Sequence, residues 1–274
     1  MRALAFALPS LVLLSGGCLV GDLAAPGDPG DPGDGRAVRP VPTNGLVIDA
    51  NLAARLPATA LGTRAADGTV ALAADPAAAL AAPAGHQLLK YVAICALPAD
   101  EELAAGGDRF PGYYGLAPEW ATGACGESCQ RWVSACLLAH ANADGHSFPI
   151  SLRGEHPALR VEPATAAAFT YQEAAYYGNV FQRQLYACAA DGATHASASD
   201  AERFLNGRIC GQLYGDCGLI STGFCAWSAP DLSACERPAP AGGSYADCHT
   251  GGLAEDIPRT SPVVREVITV YLQP

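Results

Sequence analysis

Cysteine is the residue type in this chain with the most chemistry open to it, and there are eleven of them. A cysteine can serve as a nucleophile, a metal ligand, a lipid acceptor or half of a disulfide, and its neighbours and compartment decide which. Cys18 stands alone behind a short apolar run at the N-terminus. Cys95, Cys125, Cys129, Cys136, Cys188, Cys210, Cys217, Cys225, Cys235 and Cys248 form an even set of ten in the rest of the chain. The set predicts five disulfides in an exported domain, with their connectivity open, and one cysteine left over for another use.

The other uses of sulfur fit less well. Cys125-x3-Cys129 followed by His140 and His146 has the outline of a zinc site. Structural zinc usually takes two tight pairs of ligands, so no metal is assigned. The segment Cys125-Gly126-Glu127-Ser128-Cys129-Gln130-Arg131-Trp132 resembles the surroundings of the nucleophile in papain-like proteases, where the reactive cysteine opens a helix that lowers its pKa. Gln130 stands where that family has an aromatic residue, and residues 121–124 lack the expected glutamine, so a protease is not expected. Asp247-Cys248-His249 ends like a c-type haem motif, but Tyr245 holds the place of the first cysteine. Local signatures of serine hydrolases, zinc proteases and phosphate-binding loops are absent, and no cofactor is implied.

Two looser sets remain. Glu119, Glu127, Glu155 and Glu173 are carboxylates from which a catalytic pair could be drawn, although solvated surface positions are the commoner use. Tyr113, Tyr114, Trp120, Tyr176 and Tyr177 could form a platform for sugar or peptide, although core packing is the commoner use of aromatics.

Residues 1–17 read as a signal peptide: Arg2 supplies a positive start, and Ala3 to Leu14 an apolar stretch too short to span a membrane. Leu14-Ser15-Gly16-Gly17-Cys18 resembles the lipobox of bacterial lipoproteins, with Ser15 where that family usually has leucine. The resemblance implies a lipid on Cys18 and attachment to a bacterial membrane, the outer membrane or the cell surface. Residues 18–45 follow as a tether. The run Pro26-Gly27-Asp28-Pro29-Gly30-Asp31-Pro32-Gly33-Asp34-Gly35 opposes helix, repels itself and buries too little to order. The net charge of −11 disfavours nucleic acid, whose phosphates call for a basic face.

Residues 46–274 are long enough for one domain with a sizeable core. Cys129, Trp132, Val133, Cys136, Leu137 and His140 repeat with helical spacing and predict a helix over 127–141 with both cysteines facing inward. Thr170-x-x-Glu173 predicts a second helix carrying Tyr177, Val180, Phe181, Leu185 and Cys188 on one face, and Ser199-x-x-Glu202 a short third ending at Asn206-Gly207. Residues 87–97 are apolar almost throughout, which fits buried helix or buried strand; they are read as helix, ended by Pro98. Strands are expected at 148–152 and 263–272, with shorter ones at 46–48 and 69–72. From Cys188 to about residue 250 cysteines are dense among Gly, Pro, Ser and Asp, which predicts a loop-rich subregion held by crosslinks. The fold class is therefore α+β: a single disulfide-rich domain with two or three helices and a small sheet.

The segments 88–98 and Trp132-Val133-Ser134-Ala135-Cys136-Leu137-Leu138-Ala139 are similar to a group of uncharacterised cysteine-rich bacterial lipoproteins. That resemblance implies class and location but no catalytic residue. Two functions are carried forward: a non-enzymatic envelope lipoprotein that binds a protein or glycan, and an exported hydrolase whose site is assembled from distant residues.

Overall fold

The computed structural model describes residues 41–143, 146–190, 198–211, 217–226, 233–237, 239, 242–251 and 261–274; the expected signal peptide, Cys18 and most of the tether lie outside them. The unit Pro40–Pro274 is a disulfide-rich α+β domain. Among the described residues it has six α-helices and three small sheets, more of each than the periodicity of the chain announces.

Two helices form the spine. The helix Pro83–Ala96 (here α3, after the short α1, Ala50–Ala53, and α2, Ala74–Ala79) starts on a proline, whose missing N–H would be unpaired there in any case. It buries Leu88, Leu89, Val92 and Cys95. Gly85 is needed at its start because a Cβ would lie 2.2 Å from the Leu80 carbonyl oxygen. Next comes α4, Glu127–His140, where the heptad-like spacing predicts it. It buries Val133, Cys136, Leu137 and His140, and the Cys95–Cys136 disulfide joins it to α3. Full burial of a side chain such as Leu137 contributes roughly 1.5–3 kcal/mol. Cys129 is also buried, and its partner Cys125 lies two residues before the helix.

The segment expected to be the second long helix is a β-hairpin. Strand β6 (Tyr171–Asn179) and strand β7 (Gln184–Ala189) pair antiparallel around a turn in which Arg183 takes a left-handed φ of 57°. Gly178, at φ 116°, explains why: a Cβ there would meet the Gln184 carbonyl oxygen at 2.3 Å. From Glu173 onward β6 is buried on both faces, so it shows no apolar–polar alternation and its apolar residues happen to fit a helical period.

Around this hairpin a five-stranded sheet assembles in the order β5-β12-β6-β7-β8, with β5 Ser151–Arg153, β8 Leu219–Phe224 and β12 Ile268–Leu272. All its pairs are antiparallel except β7–β8. One side carries α4, and α6 (Ala198–Cys210) packs on β7 and β8. This helix begins at Ala198, so the expected capping residue Ser199 lies inside it, and it runs past Asn206-Gly207, because Arg208 and Ile209 are buried contacts that outweigh a local stop signal. A second sheet, β1-β2-β3-β4, spans Gly62–Arg64, Thr69–Leu72, Glu102–Ala105 and Asp108–Pro111. Leu46 makes a single bridge to Ala141 where a strand over 46–48 is expected. Residues 43–45, at the end of the expected tether, are bonded to Pro149, Phe148 and His140.

The third sheet, β11-β10-β9, comprises Val263–Val264, Ala246–His249 and Cys235–Arg237. It has a core of its own, in which Cys188, Cys225, Cys235 and Cys248 pack with Tyr177, Tyr245 and Val264. The remaining disulfides are Cys188–Cys225, Cys210–Cys217 and Cys235–Cys248, so all ten cysteines pair. Among the described residues no helix is long and apolar enough to cross a membrane.

Candidate functional site

The third sheet presents a groove of about 520 Å³ lined by Arg131, Glu236, Asp247, Val263, Arg265 and Glu266. Arg131 comes from the first turns of α4, and the other five come from β9, β10, β11 and the residues after it. The antiparallel register puts Cys235 opposite Cys248, so their disulfide clamps β9 to β10 directly beneath the charged side chains.

Charge in this region is almost entirely paired. Arg237 donates to both carboxylate oxygens of Glu155, at 2.7 and 2.9 Å, and its Nε donates to Asp247 Oδ2 at 2.6 Å. The guanidinium keeps the Glu155 carboxyl below the usual carboxylate range, and the two carboxylates in turn hold Arg237 firmly protonated. Asp247 also faces Arg265 at 3.7 Å, and it takes up both arginines from a left-handed backbone (φ 53°) that aspartate tolerates better than most residues. Arg131 bonds Glu127 at 2.5 Å and lies 3.7 Å from Glu266 Oε2, a buried oxygen with no hydrogen bond.

One imidazole sits at the rim. His249 is 5 % exposed, whereas the Glu236 side chain beside it is more than half exposed. Its Nε2 lies 3.3 Å from Glu236 Oε1, and its Nδ1 lies 3.3 Å from both Ser261 Oγ and the Ser261 carbonyl oxygen. Beneath it, the Tyr177 hydroxyl donates to the His249 carbonyl at 2.9 Å.

The residues singled out from the sequence are placed elsewhere. Cys125 and Cys129 are bonded to each other, which leaves no thiol for a papain-like nucleophile. His140 sits at the far end of α4 from Cys129, beside Cys95–Cys136, with Nδ1 3.2 Å from the Thr43 carbonyl. Burial pushes its pKa down to about 3, so it is a neutral core histidine. Among the described residues, the groups of His, Cys, Asp and Glu close enough to share an ion are Cys95, Cys136, His140 and Cys188, Cys225, Cys235, whose cysteines are all disulfide-bonded. Trp120, Tyr176 and Tyr177 are fully buried and form no platform. Tyr113 and Tyr114 do line a groove, of about 150 Å³, with Leu159, Arg160 and Glu162.

The four glutamates part company. Glu119 lies in a short 3-10 helix, Glu127 pairs with Arg131, and Glu155 pairs with Arg237. Glu173 is buried against Arg208 at 2.6 Å, with its carboxyl raised above the usual range by desolvation that Arg208 partly offsets. Glu236, His249, Ser261, Arg265 and Glu266 carry no local motif, and only their nearness to paired cysteines hints at a common site. Comparison with known proteins finds no matching family model, curated protein or solved structure.

Proposed function

We propose that the chain is a lipid-anchored lipoprotein of the cell envelope, held to an outer membrane or cell surface through Cys18, whose domain binds a charged protein or glycan. The observation that carries the reading is the closure of the cysteine count. Five disulfides consume the ten cysteines of the domain, leaving over the one that follows an apolar run and a lipobox-like Leu14-Ser15-Gly16-Gly17. The groove supports a binding role. Its carboxylates and guanidiniums face one another along the lining, a surface of mixed charge that a charged ligand can meet.

The reading is tested by fractionating cells that express wild type and Cys18→Ser, with the mass of the mature chain measured before and after reduction. Wild type should sediment with membranes carrying a diacylglyceryl mass and gain the mass of ten hydrogen atoms on reduction, while the variant is released. A wild type without lipid, or a variant that stays bound, contradicts it. An exported hydrolase is the alternative, and the observation in its favour is the His249 imidazole between Ser261 and Glu236.

A further inference from the structure

We infer that Ser261, His249 and Glu236 form an acyl-transfer site at the rim of the ionic groove, with Ser261 as nucleophile, His249 as general base and Glu236 as the group that orients it. The inference rests on the hydrolase reading and is independent of whether Cys18 carries lipid.

In the tautomer that hydroxyl activation requires, the hydrogen sits on Nε2, which faces a Glu236 carboxylate oxygen at 3.3 Å. In neutral imidazole Nδ1 then presents its lone pair, and the Ser261 hydroxyl at 3.3 Å is the donor that can meet it. The Ser261 carbonyl oxygen lies at the same distance from Nδ1 and accepts from it in the other tautomer. Nucleophile, base and orienting carboxylate thus stand in the order that hydroxyl activation needs, with the slightly long contacts usual in a site without substrate.

The scaffold is rigid where such a site must be. The Cys235–Cys248 disulfide joins the residues adjacent to Glu236 and His249 across the β9–β10 pair. The Tyr177 hydroxyl holds the His249 carbonyl, and the Thr250 N–H and hydroxyl both donate to the Pro262 carbonyl, fixing the chain next to Ser261. His249 is buried and Ser261 is only half-buried.

In the reaction, Ser261 Oγ bonds to a carbonyl carbon and its proton passes to His249 Nδ1. The bond from that carbon to the leaving oxygen or nitrogen breaks, and His249 returns the proton to the leaving group. Water, activated by the same nitrogen, then releases the acid and restores Ser261. Arg131, Arg265, Asp247 and Glu266 beside Glu236 select an ester or peptide with charged groups near the scissile bond.

A fluorophosphonate probe tests this on the whole chain. Ser261 Oγ should displace fluoride, giving one adduct that peptide mass spectrometry maps to Ser261. Ser261→Ala should lose it, and His249→Gln should label roughly 100-fold more slowly. In wild type the labelling rate should rise with pH through a single histidine ionisation, and Glu236→Gln should move that midpoint while leaving the adduct on Ser261. Because the wild type alone gives both adduct and pH profile, a variant that folds poorly does not blunt the test. No adduct on oxidised, folded wild type, an adduct that persists in Ser261→Ala, or a rate indifferent to pH overturns the inference.

Discussion

The α3–α4 body and the small β9–β10–β11 sheet use the same crosslink in opposite ways. In the body, Cys95–Cys136 lies among Leu88, Leu89, Val92, Val133 and Leu137, and helix packing would hold much of the structure without it. In the small sheet the half-cystines are themselves a large part of the apolar core, four of eleven buried residues, and the strands are only two to four residues long. Polar groups divide the same way. The body buries Arg208 against Glu173 and His140 against Thr43, whereas the small sheet turns its ion pairs outward along a groove. A region with surplus core can bury its charges as struts. One short of core is held by sulfur and keeps its charges at the surface, where a ligand can meet them.

The most damaging single change should fall in the body. Arg208 donates to the Ala139 and Ala141 carbonyls at the end of α4, pairs with Glu173 and stacks over Tyr176. Arg208→Ala strands a buried carboxylate and should cost about 3–5 kcal/mol in denaturant unfolding, and Arg208→Met with Glu173→Leu should recover most of that loss. If the single variant costs no more than an average surface substitution, the body does not depend on its buried pair.

Next in size are the crosslinks, which test the comparison directly. Removing either Cys95–Cys136 or Cys235–Cys248 by paired serine substitution should cost about 2–4 kcal/mol. The consequences should differ in place. Hydrogen exchange should show the first variant loosened but still protected across α4, and the second with protection lost through β9 and β10 while α4 is untouched. Equal loss in both regions would make the domain one cooperative unit and abolish the distinction.

The last effect is absent at neutral pH and appears only in acid. In the unfolded chain His140 takes up its proton near pH 6.5, but in the folded chain only near 3, so between those values the unfolded state binds more protons. Its contribution is complete above pH 6.5 and is lost as pH falls, by up to about 1.4 kcal/mol per pH unit. His140→Gln should flatten this part of the stability profile relative to wild type. A parallel profile would mean that His140 is protonated in the fold.

How much of this was legible in the chain depends on the range of the interactions involved. Helix α4 was readable because its apolar residues recur with a helical period and Asn142 punctuates its end, whereas the α3 segment, apolar almost throughout, fitted helix or strand and only its end at Pro98 was marked. Strand β2 and the stretch at β12 were visible as β-branched runs, and the parity of the cysteines was enough to expect five bridges. The β6–β7 hairpin was not readable, since a strand buried on both faces has no alternation and Thr170-x-x-Glu173 imitates a helix start. Gly178, costly in a helix and obligatory here, was the one local clue.

The pairing of sulfurs and the convergence of Glu236, His249 and Ser261 had no local signature. Each depends on which strands lie side by side, and that choice belongs to the burial of the whole core. Local composition carried the α+β class and the strongest helix, because these follow from the residues of one segment and their solvent. Register, crosslink partners and the groove arose only when distant segments packed, because a contact between residues far apart in the chain has to overcome the entropy of closing the loop between them. That cost is met by the fold as a whole and leaves no mark on either segment alone.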